Sequence, residues 1–296
     1  MLLSKHFMSN SNLYKILQLF YGEIFNKQNS FSTKVMRIVS RTPLKKIFYI
    51  INIYFNKNDT LKTTKNKIFI NNINPNFAYQ KLISEGIFTK FKIKNKIINK
   101  INQSIKNKKF LINRSKIKKT IDNKLTSTYV MRYHNPHLEI KEVYDITFNE
   151  QIISIVKKYL KCNPIVQSTQ IWWTFPFYNK NNELDNPPGN EFGFHYDVDD
   201  YKFLKLFIYL NNVTLKNGPH VYITNNGIKN WPEYLDRRIS DDEVKKKYKK
   251  RIKVLIGKMG QGFIEDPSFY HKGTNPTEPG GRCLLQVVYS INKWQK

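Results

Sequence analysis

Apolar positions along this 296-residue chain follow two periods, helical in the first part and strand-like in the second. Leu13, Ile16, Leu17, Phe20 and Ile24 recur at helical spacing. Leu44, Ile47, Phe48, Ile51, Tyr54 and Phe55 do so behind Thr42 and Pro43, which read as an N-cap and first helical residue. Ile97, Ile98, Ile101 and Ile105 form a third stripe after a turn around Gly86. Thr147 and Glu150 have capping-box spacing ahead of Ile152, Ile153, Val156, Tyr159 and Leu160, so a helix is expected to end before Asn163 and Pro164. Asn56 to Asn76 is polar and reads as a linker, dividing an extension, residues 1–76, from a second unit, residues 77–296.

From Ile165 the apolar and β-branched residues come in short runs: Ile165–Phe175, Phe192–Tyr196, Phe203–Leu210, His220–Ile223, Lys253–Ile256, Gly262–Glu265 and Arg282–Ser290. Asn and Gly separate them, which predicts an antiparallel sandwich or jelly roll rather than a parallel sheet. One helical insertion interrupts the runs at Asn230–Arg251, with Pro232 near its start and a capping box at Ser240 and Glu243.

Composition narrows the class. Hydrophobic residues make up 40% of the chain, enough for a packed core. Two cysteines, Cys162 and Cys283, build neither a disulfide scaffold nor a cysteine-based zinc site, so a reducing cytoplasmic compartment is expected. The longest nearly apolar stretch, Ile47–Phe55, is far short of the roughly 20 residues that cross a bilayer, and Met1–Asn10 lacks the features of an export signal. The charge is +28, of which residues 1–125 carry +22 and residues 126–296 carry +6. A block so basic suits nucleic acid or an anionic membrane surface. Lys and Asn recur throughout, however, as codon bias in an A+T-rich genome would produce, so nucleic acid is not the expected partner. Membrane-surface association stays compatible with an enzyme.

Six histidines limit any imidazole chemistry. His195 and Asp197 stand two apart, and in a strand such residues project from one face and can share an ion. His271 follows in the stretch Asp266-Pro-Ser-Phe-Tyr-His-Lys-Gly273, and Arg282 lies eleven residues beyond it. Two histidines and a carboxylate make the facial set suited to non-haem Fe(II), with three positions left open. Arg282 begins an alternating run through Leu284, Gln286 and Val288; it would meet either an anionic ligand in a bidentate pair or a structural carboxylate.

The stretch Glu191–Asn226, with His195, Asp197, the strand Phe203–Leu210 and Asn217-Gly-Pro-His-Val221, resembles the phytanoyl-CoA dioxygenase family of Fe(II)/2-oxoglutarate oxygenases. So do Glu265 and Asp266, then His271-Lys-Gly273, the step to Arg282, and Leu285, Gln286 and Tyr289. Glu85-Gly-Ile87 resembles the family's usual entry, so the likeness spans roughly residues 78–296. It implies a mainly β fold with a double-stranded β-helix (jelly-roll, cupin-like) core, N-terminal helices and a helical insertion. It implies His195, Asp197 and His271 as iron ligands and Arg282 on the distal carboxylate of 2-oxoglutarate, with dioxygen as the other co-substrate. A small organic substrate would be hydroxylated as 2-oxoglutarate is decarboxylated to succinate. Asp197 separates the chain from halogenating relatives, which lack that carboxylate. Gln170, Trp172 and Phe207 resemble positions near the co-substrate. His220 reads as a pocket or a structural residue, and His134 and His137, flanking Pro136, as loop residues facing substrate. In relatives such insertions look like lids, and Arg237, Arg238 and the lysines at 245, 246, 247, 249 and 250 would then favour an anionic substrate, unless they form a solvated face.

Overall fold

A computed structural model describes residues 30–55, 59–113, 117–120, 128–181, 183–185, 193–225 and 236–294. The expected helix over 13–24 and the start of the insertion, with Pro232, lie outside the described residues. The helices are α1 (Ser30–Val39), α2 (Lys45–Phe55), α3 (Pro75–Glu85), α4 (Asn95–Ile105), α5 (Lys141–Thr147), α6 (Glu150–Leu160) and α7 (Asp241–Tyr248). The strands are β1 (Ile87–Lys92), β2 (Phe110–Ile112), β3 (Lys118–Lys119), β4 (Val130–His134), β5 (Ile165–Thr174), β6 (Phe194–His195), β7 (Phe203–Tyr209), β8 (His220–Ile223), β9 (Arg238–Ile239), β10 (Ile252–Leu255), β11 (Gln261–Glu265), β12 (His271–Gly273) and β13 (Arg282–Ser290).

These strands make two antiparallel sheets, ordered β1-β11-β7-β13-β5-β4-β2-β3 and β10-β8-β12-β6-β9, the jelly-roll architecture. Alternation along the strands divides the larger sheet into two faces. Leu204, Leu206 and Ile208 of β7, Ile264 of β11 and Cys283, Leu285, Val287 and Tyr289 of β13 share one core with Ala78, Leu82, Ile98, Ile101, Ile105, Ile152 and Val156 of the helices. The intervening residues, Phe207, Tyr209, Phe263 and Leu284, turn the other way and pack with Tyr222 of the smaller sheet. The inner faces of the two sheets therefore meet, with α3, α4 and α6 backing the larger sheet and α7 packing Val244 against the smaller one.

The N-terminal half differs from its helical reading. Four strands of the large sheet, β1 to β4, come from it: β1 and β4 join by pairing with the later strands β11 and β5, and β2 and β3 extend the sheet from β4 by local pairing. The polar stretch before α3 is not solvated throughout; Ile68, Phe69 and Ile73 are buried in the same core as α3 and α4. Thr42 does not cap α2: its hydroxyl donates to the Val39 carbonyl at 2.9 Å and closes α1. Thr147 likewise ends α5, donating to Val143 O at 2.7 Å, and Asn149 caps α6 by accepting from Gln151 N–H at 3.0 Å. The capping box at Ser240 and Glu243 is present at the start of α7. Helix α2 packs Phe48 and Tyr49 inward, Tyr49 donating to Leu160 O at 3.1 Å, and exposes Ile47, Ile50 and Tyr54. No helix among the described residues is long and apolar enough to cross a membrane.

Asp200 locks the end of the chain onto the barrel. Its buried carboxylate accepts from Tyr201 N–H (2.7 Å), Ile291 N–H and Asn292 N–H (2.8 Å each) and the Asn292 amide (3.2 Å). Asp200→Asn keeps the shape but offers one acceptor atom and an NH2 facing N–H groups, so it should destabilise the protein by about 3 kcal/mol. Denaturant unfolding measures this, and a change below about 1 kcal/mol would contradict the bond count.

Candidate functional site

His195 ends β6 and His271 begins β12; the two residues are register partners, so the imidazoles lie side by side with ring centroids 4.7 Å apart. Asp197 follows in the loop after β6. Its own N–H donates to Pro267 O at 2.7 Å, tying the first ligand pair to the loop that delivers His271. That loop is shaped by Asp266, whose carboxylate accepts from Ser268 N–H at 2.9 Å and from the Tyr159 hydroxyl. Gly86 supports it from outside: Asp266 N–H donates to Gly86 O at 2.8 Å. A Cβ on Gly86, where φ is +78°, would stand 2.5 Å from the Tyr222 hydroxyl and 2.6 Å from Phe269. One ligand atom from each of His195, Asp197 and His271 lies within 4.8 Å of the others, a group that could hold a metal ion.

The tautomers suit that task. His195 Nδ1 lies 2.8 Å from Gly193 O and His271 Nδ1 2.9 Å from Phe269 O. A carbonyl only accepts, so each Nδ1 carries a hydrogen and each Nε2 is the ring atom turned to where a metal would bind. Both Nε2 atoms face Asp197, at 3.8 Å from Oδ1 for His195 and 3.4 Å from Oδ2 for His271. Burial first, and the adjacent His271 next, push His195 down to about 4, leaving it neutral near pH 7. Burial works against charge on His271 too, but Glu265 and Asp197 outweigh it and raise that group. Asp197 is opposed by its burial, yet Lys205 and the two imidazoles hold its carboxyl well below the usual range.

Arg282 is the second element of the site. It starts β13 on the inner face and is 5% exposed, and its Nε and Nη1 have no hydrogen-bond partner among the described residues. Gly273 makes room for it, since a Cβ there would stand 2.9 Å from Nη2. A buried, unpaired guanidinium is costly, and a bidentate anion is the ligand that matches its fork. A donor set of two imidazoles and one carboxylate, with a buried guanidinium unpaired at Nε and Nη1 beside the strand that His271 begins, fits an iron ion and a dicarboxylate such as 2-oxoglutarate.

Sheet register places the other candidates. Phe207, Gln286, Gln170 and His134 stand directly opposite one another across β7, β13, β5 and β4, and so share the inner face. Gln170 accepts from Trp172 Nε1–H at 2.6 Å, and the Arg132 guanidinium lies over the Trp172 ring at 4.7 Å. Phe207 stacks on Phe263 at 5.0 Å. His220 is buried, its Nε2 donating to Glu265 at 2.8 Å, with its ring 5.5 Å from that of His271. His137 is not in the cavity: its Nδ1 is 2.7 Å from Thr169 Oγ1, on the opposite face of β5 from Gln170. Arg237 and Arg238, treated alike in the sequence, separate. Arg237 reaches the metal group, with Nε donating to Tyr196 O at 3.1 Å and Nη2 3.7 Å from Asp197 Oδ1. Arg238 is exposed on β9, and the lysines of α7 at 245, 246 and 247 are exposed as well, a solvated face.

Lys205 escaped the sequence reading, and Glu265 entered it only as part of the stretch before His271. Lys205 of β7 donates to Asp197 Oδ2 and lies 3.3 Å from Asp199 Oδ2, and Glu265 stands opposite it in the register. The available signal was parity: Lys205 is two positions from Phe207, so a strand that turns Phe207 inward turns Lys205 inward too.

No family model matches the sequence, and no curated protein matches it. Solved structures do match. SnoN, a non-heme alpha ketoglutarate dependent epimerase from nogalamycin biosynthesis, superposes with a TM-score of 0.53 at 9% identity over 73% of this chain and 82% of its own. EctD from S. alaskensis, solved with bound Fe, gives 0.52 at 12% over 79% and 84%. SnoK, a non-heme alpha ketoglutarate dependent carbocyclase from the same nogalamycin biosynthesis, gives 0.51 at 12% over 77% and 87%. At such identities the likeness is one of fold: the chain shares its jelly roll with these three proteins.

Proposed function

We propose that the chain is an Fe(II)/2-oxoglutarate-dependent dioxygenase of the phytanoyl-CoA dioxygenase kind, which hydroxylates a small organic substrate. Residues 77–296 form the catalytic unit in this reading, and residues 1–76 the extension. The observation that carries it is the convergence of two Nε2 atoms and the Asp197 carboxylate, with the buried Arg282, whose Nε and Nη1 are unpaired, close against Gly273 of the strand that His271 begins.

When bound, the iron would couple decarboxylation of 2-oxoglutarate, yielding carbon dioxide and succinate, to oxygenation of the substrate by dioxygen. The protein's part is to hold and orient. His195, Asp197 and His271 would hold the ion through two imidazole nitrogens and one carboxylate. Arg282 takes the distal carboxylate, and the Phe207, Phe263 and Leu284 side chains keep water from the stem of the co-substrate. Trp172 fixes the Gln170 side chain on the inner face by donating its N–H to the Gln170 oxygen. Asp197 fills the position a halide would need, which favours hydroxylation over halogenation.

Anaerobic titration with Fe(II) and 2-oxoglutarate, followed by the visible metal-to-ligand charge-transfer band, tests the reading. A band saturating at one iron per chain is expected; folded protein that gives none would refute it.

Arg237 supports an anionic substrate, since its guanidinium stands at the metal group from outside the sheet core. Arg237→Ala should raise KM for a phosphate- or carboxylate-bearing substrate about tenfold or more, the loss of one charge-assisted bond. Arg238→Ala, on the exposed strand, should not. Steady-state kinetics on the pair decides, and equal effects would remove the assignment.

A further inference from the structure

Lys205 is a lysine in the middle of a strand whose every residue is buried. Its side chain is 10% exposed, and the ammonium meets two carboxylates, Asp197 through Oδ2 and Asp199 at 3.3 Å. It approaches from the large sheet, whereas His195 and His271 approach from the small one. The two oxygens of Asp197 are thereby in different surroundings. Oδ2 accepts the Lys205 hydrogen bond and lies 3.4 Å from His271 Nε2, whereas Oδ1 has no contact closer than Arg237 Nη2 at 3.7 Å and His195 Nε2 at 3.8 Å among the ion pairs of the described residues.

We infer that Lys205 is the positioning residue of the metal group, holding Asp197 to one-oxygen ligation. The inference rests on the metal reading above. A carboxylate with both oxygens free can take two coordination positions, leaving too few for a bidentate co-substrate and dioxygen. An oxygen engaged by an ammonium is a poor second ligand, so Lys205 keeps the facial set open. It also fixes the carboxylate on the side from which the imidazoles reach it. The strand makes this hold rigid: β7 is paired on both edges, to β11 and β13. A merely structural lysine would neutralise the Asp197 and Asp199 pair and nothing more, and the two roles differ in what a metal probe reads.

Co(II) serves as that probe, because its visible d–d absorption reports coordination number independently of turnover. The full chain should bind one Co(II) with the weak bands of six-coordination. Lys205→Met should weaken Co(II) binding by about 10–100-fold, the usual effect of losing a partner that orients a ligand, and should alter the band intensities. Lys205→Arg, which restores a donor from the same strand position, should recover affinity to within about threefold and the native bands. Because Lys205→Met strands two buried carboxylates, Lys205→Met/Asp199→Asn is measured beside it; the same weakening and the same spectral change are expected in that better-balanced background. Native affinity and bands in either Met-containing variant would overturn the inference, as would equal impairment of the Arg and Met variants. Folded natural protein that binds no Co(II) would overturn the metal reading itself, a different and separately legible failure.

Discussion

The His271→Ala variant is expected to give no charge-transfer band with Fe(II) and 2-oxoglutarate at concentrations that saturate the natural protein. His271 supplies one of three donor atoms, so its loss should cost more metal affinity than the roughly 10–100-fold typical of an outer partner. The loss should be specific. His271 Nδ1 bonds only its own loop, to Phe269 O at 2.9 Å, and the loop is held separately by Asp266, Gly86 and Tyr159. The variant should therefore keep its far-ultraviolet circular dichroism and unfold cooperatively. An undiminished band in the variant would mean that the iron sits elsewhere.

Arg282→Met should separate two explanations of a buried arginine by the sign of a stability change. If the guanidinium were a structural ion-pair partner, its removal would leave a buried carboxylate exposed to the same low dielectric and cost about 3–5 kcal/mol. Here its Nε and Nη1 are unpaired, burial itself lowers the group's affinity for its proton, and Met fills a similar volume. The protein without co-substrate should then be as stable as the natural one, or more so. Binding of 2-oxoglutarate should fall by about 2–5 kcal/mol, at least about 30-fold in Kd. Thermal unfolding with and without 2-oxoglutarate reads both effects at once, because a ligand that binds only the native state raises Tm by mass action. A destabilised variant that retained the full 2-oxoglutarate shift would return Arg282 to a structural role.

What was legible in the chain tracks the range of the interactions involved. β8 and β13 run over His220–Ile223 and Arg282–Ser290, the apolar runs that mark them, and α4 buries Ile98, Ile101 and Ile105 as its stripe requires. The capping box of α7 needs only residues three apart. The same spacing at Thr147 and Glu150 misleads, because the Thr147 hydroxyl has a nearer acceptor in Val143 O and a second short helix, α5, uses it. β1 escaped notice for a different reason. Its residues Ile87–Lys92 form a strand by pairing with β11, and that partner lies far along the chain.

The sequence by itself determined the candidate residues and their local geometry: an imidazole and a carboxylate two apart on extended backbone, a histidine two residues before a glycine, and an arginine opening an alternating strand. Those features depend on period and chirality, which neighbouring residues impose on one another. Only the tertiary structure decided the company they keep. Pairing of β6 with β12 sets the histidines side by side, and β8 carries His220 to Glu265. Closure of one sheet over the other brings Lys205 to the carboxylate of Asp197 while leaving Arg282 unmatched. Parity along a strand says which face a side chain occupies, but what waits there is set by hydrogen bonding between strands remote in sequence.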